Sequence, residues 1–125
     1  MKNLSMVAGR ALGLIMVVLG LNGLLHFLPQ PPPATPEALA FIMALATTKG
    51  FWLLLKGTEI VAGLTLLTNR WAALGLVVLA PVTVNIVLYH TALDPSGLVV
   101  ALAVAGLHLA AAWNYRDAYK ALLKA

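Results

Sequence analysis

Residues 53–70 read LLLKGTEIVAGLTLLTNR, an apolar run long enough to cross a bilayer with two charges, Lys56 and Glu59, set inside it. A charged side chain near a bilayer centre costs about 2.5–3.5 kcal/mol on insertion scales, so such residues face a bundle interior or a wet cavity and mark a functional site by default. Lys56 and Glu59 stand three apart and share one helix face, where they can pair. Lys before Glu is the weaker order for such a pair, which predicts that neighbouring helices help to hold it.

The whole chain has the composition that this stretch demands. Its 125 residues suit one domain, and they are 62% hydrophobic and only 10% charged, against about 25% charged in soluble domains. The net charge of +4 is spread along the chain. No basic face of the kind that binds nucleic acid is visible. The absence of cysteine removes disulfides, thiolate metal sites and dithiol chemistry together.

Four runs, about residues 9–28, 51–68, 71–90 and 97–113, approach the ~20 residues that span a bilayer. No alternating strand pattern appears, so the expected fold is all-α, a four-transmembrane-helix bundle, a single integral membrane domain over residues 1–125. The first run is too long for the apolar region of a signal peptide. It leads into Pro29-Gln30-Pro31-Pro32-Pro33, which is no cleavage site. This proline segment predicts a stiff extended loop. Thr35 as N-cap, Pro36 in the first turn and Glu37 at the positive end open a helix. That helix, about 36–48, is too short to span and is read as interfacial or re-entrant, broken near Lys49-Gly50. Asn69-Arg70 and residues 94–97 are turns, and a short helical tail begins at Arg116.

Four spans put both termini and the Asn69-Arg70 turn on one side. That side carries Lys2, Arg10, Arg70, Arg116, Lys120 and Lys124, against Lys49 alone on the other. The positive-inside rule then places both termini in the cytoplasm. Phe51, Trp52, Trp71, Tyr89, Trp113 and Tyr115 fall at span ends, where aromatic belts form.

At ~1.5 Å per residue, Lys56 and Glu59 lie roughly 10 Å inward from the outer end of their span. Asn22 and His26 lie in the outer third of the first span, Asn85 is at a depth similar to the pair, and His90 is at the outer mouth of the third. Convergence of these faces would give one polar cavity open to the outer side, with Asn22, Glu59 and Asn85 as its floor and His26, Lys56 and His90 as its walls. The plainer reading has Lys56 snorkelling to the interface and the asparagines serving as interhelical glue. His108, near the middle of the fourth span, reads as a core histidine. No histidine pair has ligand spacing, so no metal site is expected. Pro81 is expected to kink the third span and free the carbonyl of Val77. Gly9 and Gly13 form a small-xxx-small pattern that could serve the bundle or a homodimer.

Three segments carry a resemblance: GLNGLLHFLP (20–29), LLKGTEIVAGLTLLTNR (54–70) and LAPVTVNIVLYHTALDP (79–95). With the four-span layout, they resemble the DoxX-like family of small bacterial integral membrane proteins. The resemblance implies a four-helix bundle in the bacterial cytoplasmic membrane. It also implies a redox accessory role, in the setting of quinone-linked sulfur oxidation from which the family takes its name. Quinone is then the candidate cofactor and a membrane oxidoreductase the candidate partner, alongside the lipid bilayer. A non-enzymatic scaffold or assembly role, or small-solute binding, is the alternative. With no inverted repeat, transport is the weaker case.

Overall fold

The computed structural model describes residues 1–125, and it is all-helical. Its elements are α1 (Lys2–Leu25), α2 (Pro36–Thr47), α3 (Phe51–Thr68), α4 (Ala72–Ala92), a 3₁₀ turn (Pro95–Gly97), α5 (Leu98–Trp113) and α6 (Arg116–Leu122). Four helical segments are long and apolar enough to cross a membrane: Lys2–Leu25, Phe51–Thr68, Ala72–Ala92 and Pro95–Trp113. The expected bundle and its short extra helix are therefore both present.

The largest departure from the expected boundaries is in α1, which starts at Lys2 and ends at Leu25 instead of spanning residues 9–28. His26 takes the left-handed conformation, and its N–H bonds the carbonyl of Asn22. The Asn22 side chain then binds Leu28 twice, accepting from its N–H at 2.7 Å and donating to its carbonyl at 3.3 Å. One amide thus pairs both backbone groups of Leu28 and folds the chain after α1 back onto the helix end. The start of α2 is as expected, with the Thr35 side chain accepting from Ala38 N–H at 3.1 Å and Pro36 in the first turn. Gly50 separates α2 from α3 at φ 87°, a conformation that glycine adopts at little cost. α4 is helical across Pro81 and runs two residues past His90.

The long helices form a ring in which α1 packs on α3 and α5, and α4 packs on the same two. Leu12 and Met16 of α1, Ala62 and Leu66 of α3, Leu76 and Leu79 of α4, and Val104 and Ala111 of α5 make the core. Large apolar residues such as Val61, Leu64, Val84, Val99 and Leu109 point outward. Apolar surface this extensive does not suit water and places the bundle in a lipid bilayer.

The α1–α3 contact is made close by glycine. A Cβ on Gly13 would lie 2.7 Å from the Gly63 carbonyl oxygen, and one on Gly63 would lie 2.8 Å from that of Gly13. In lipid, helix association draws on such close van der Waals contact, because burying apolar surface gains little there. Gly9 faces Ala111 of α5. Gly9 and Gly13 therefore both serve contacts inside the bundle.

Side-chain ties close both ends. At the end that carries the termini, labelled inner by that alone with the opposite end outer, Tyr115 Oη donates to Asn69 Oδ1 at 2.9 Å and Tyr119 Oη to the Ala73 carbonyl at 3.0 Å. At the outer end, Ala34 N–H donates to Asp94 Oδ2 at 3.2 Å and Thr35 Oγ1 to the Leu93 carbonyl at 2.6 Å. The Phe41 and Tyr89 rings pack at 5.8 Å, bringing α2 against α4.

Candidate functional site

Lys56 and Glu59 meet as expected. Lys56 Nζ lies 3.1 Å from Glu59 Oε2 and 3.3 Å from Oε1, with side-chain exposures of 14% and 6%. The ammonium also sits 4.8 Å from the centre of the Trp52 ring, where the negative face of the indole attracts it. Trp52 Nε1 donates to the Gly23 carbonyl at 2.9 Å. Residues 52, 56 and 59 stand at i, i+4 and i+7 and so share one face of α3.

That face lies against the glycine edge of α1. A Cβ on Gly23 would fall 2.5 Å from Lys56 Cε, and one on Gly20 would fall 3.1 Å from the Lys56 carbonyl oxygen and 3.3 Å from Glu59 Cβ. The lysine stem therefore occupies the volume that Gly23 leaves free. The site is a short stack of Gly20, Gly23, Trp52, Lys56 and Glu59 at the outer end of the α1–α3 contact. Its place at a span end marks Trp52 only as a belt residue, although its helical spacing to Lys56 is there in the sequence. The partnership with Gly20 and Gly23 is not, because it depends on how two helices meet.

The other expected members stand apart from the stack or are engaged elsewhere. Asn22 is buried, but its amide is committed to Leu28. Asn85 is exposed on the outside of α4, where its Nδ2 donates to the Pro81 carbonyl at 2.9 Å. It supplies no floor to a cavity with Glu59, because it turns back to its own helix. His26 is exposed at the end of α1. His90 lies in the last turn of α4 and reaches the turn that follows, with Nδ1 2.9 Å from the Asp94 carbonyl oxygen and its ring against the position of Gly97. His108 is buried and pairs with Thr83, Nδ1 to Oγ1 at 2.9 Å, which makes it an α4–α5 link within the core. No buried polar side-chain atom lacks a hydrogen-bond partner, and no cluster of three metal-ligating side chains exists.

Asp94 is the other buried acid, in the outer loop. The Ser96 side chain, first among its partners, holds its carboxyl below the usual carboxylate range; burial opposes this, while the N–H groups of Ala34 and Ser96 and the nearby His90 add to the lowering.

Two cavities lie away from the stack. One, of about 540 Å³, lies at the inner end between the start of α1 and the α5–α6 junction. The other, of about 140 Å³, is apolar and lies beside His108, with Leu76 and Tyr119 in its wall. Neither is lined by Lys56 or Glu59. Comparison of the chain with protein-family models, with curated proteins and with solved structures finds no match.

Proposed function

We propose that this chain is a DoxX-like integral membrane protein of the bacterial cytoplasmic membrane, with both termini in the cytoplasm. Its proposed role is that of a non-catalytic accessory subunit for a membrane oxidoreductase. The single observation behind the non-catalytic part is that every buried polar side-chain atom already has a partner. Both oxygens of Glu59 lie within hydrogen-bond distance of Lys56, the arrangement of a structural ion pair. Ion pairs and amides of this kind fix helix register and orientation. The oxidoreductase partner rests on the family resemblance, and the cytoplasmic termini on the six basic residues of their side.

Quinone is the cofactor that the resemblance suggests. Lys56 and Glu59 are bonded to each other and line neither of the two cavities described above, so nothing at the stack points to its head group. No step through a quinone is therefore assigned to this chain.

Purification in a mild detergent, with analysis of co-purifying protein and extracted quinone, tests the reading. A stoichiometric membrane partner, retained by Glu59→Gln, is the expected result. Stoichiometric quinone on the isolated chain, lost in Glu59→Gln, would replace this role with a direct redox one.

A further inference from the structure

The inner-end cavity is not used by the proposed role. Its wall includes Lys2, Ser5, Trp113, Asn114, Arg116 and Asp117. The cleft has a structural cause. Gly9 of α1 lies close to Ala111 of α5, so the two helices touch one turn deeper. Beyond that point the chain turns at Asn114 and Tyr115 into α6, and Tyr115 and Tyr119 tie this end of the chain to Asn69 and Ala73, at the α3–α4 junction. The start of α1 therefore loses its neighbour, and a gap of about 540 Å³ opens between them.

The chemistry of the gap is that of an anion site. Lys2 and Arg116 bring two cations to it, and Arg116 is steadied by donating to the Trp113 carbonyl at 2.9 Å and by standing 5.2 Å from the centre of the Trp113 ring. Asp117 opposes them, but its carboxylate lies 3.5 Å from Lys120, which offsets its charge. The start of α1 has no side-chain cap, so its N–H groups and the positive end of its dipole add to the attraction. Ser5 at the wall supplies a hydroxyl, itself only 6% exposed. All this sits where the spans of α1 and α5 end, at the depth of lipid head groups. Basic pockets between transmembrane helices at this level suit anionic head groups.

We propose that the cavity binds the phosphate of an anionic phospholipid, with Lys2 and Arg116 on the phosphate and Asn114 and Ser5 available to its oxygens. The acyl chains would leave the gap along the lipid-facing sides of α1 and α5. The site is independent of the accessory role, since it needs only that the bundle spans a bilayer.

The test uses the full chain in nanodiscs containing phosphatidylcholine with phosphatidylglycerol, with lipid retained through gentle delipidation counted by native mass spectrometry. Wild-type protein should keep phosphatidylglycerol in preference to phosphatidylcholine. Lys2→Gln/Arg116→Gln should weaken that preference about 30-fold, roughly fivefold per cation removed. Lys2→Arg/Arg116→Lys should restore it, which separates loss of charge from misfolding. Lys124→Gln, on the same side but outside the wall, should change it little. Equal retention of the two lipids by wild-type protein, or an equal loss in Lys124→Gln, would overturn the proposal. Displacement of the lipid by millimolar inorganic phosphate would assign the site to a soluble anion and overturn the lipid source.

Discussion

Removing the lysine of the stack should cost far more than removing both members of the pair. At 3.1 Å, two unit charges attract by about 5 kcal/mol with an effective dielectric near 20. The Lys56 side chain keeps 14% exposure, so solvent screening takes part of this away. Breaking a buried pair from one side costs roughly 3–5 kcal/mol, because a bare charge is left behind. The exposure of Lys56 brings Lys56→Met just below that range, to about 2–3 kcal/mol. Lys56→Met/Glu59→Gln leaves no bare charge and should fall within about 1 kcal/mol of wild type. With Glu59→Gln at about 1 kcal/mol, because the lysine it strands is partly exposed, the coupling energy of the double-mutant cycle is about 2–3 kcal/mol. Reversible unfolding in mixed detergent micelles, monitored by tryptophan fluorescence, measures all four corners of the cycle. A single Lys56→Met within about 0.5 kcal/mol of wild type would show the ammonium snorkelling in water, and the stack would lose its organising role.

Three further regions can be probed separately. Gly13→Leu meets the Gly63 backbone oxygen and Leu66 Cβ, which cannot yield, and should cost about 3 kcal/mol or more. Gly23→Ala meets Cε, Cδ and Cγ of the Lys56 stem, which can shift more readily than backbone, and should cost about 1–2 kcal/mol while shifting Trp52 emission; the same unfolding assay reports both. Asp94 has its carboxyl held down by Ser96, so its contribution is full above its ordinary value of 3.8 and is lost as pH falls through the lowered value. Protection of the Ala34 amide, taken relative to its intrinsic exchange rate at each pH, should fall on acidification into that range, and Asp94→Asn should remove this fall. Tyr119→Phe removes one bond to the Ala73 carbonyl and should cost about 1 kcal/mol, with faster trypsin cleavage after Arg116 as α6 loosens.

The helices are legible in the sequence because their signals are local. Hydropathy marks all four spans, and the run Thr35-Pro36-Glu37 marks the start of α2 to the residue. Helical spacing alone brings Lys56 to Glu59. The rotation of each helix about its axis cannot be read in this way. Depth places Asn85 level with the pair, but rotation turns it to the outside of α4. Asn22 points inward as expected, yet its partner is the backbone of Leu28, six residues on. That contact also explains why α1 stops at Leu25, a boundary that hydropathy cannot register because Phe27 and Leu28 are as apolar as the helix before them.

The position of the stack in the chain bears on biogenesis. Every residue named around the ammonium, from Gly20 to Glu59, lies before α4, so α1 and α3 are synthesised ahead of α4 and α5. A translocon that receives them as a hairpin can shelter the couple before the second hairpin leaves the ribosome. The charged couple is thus matched before α4 and α5 leave the ribosome.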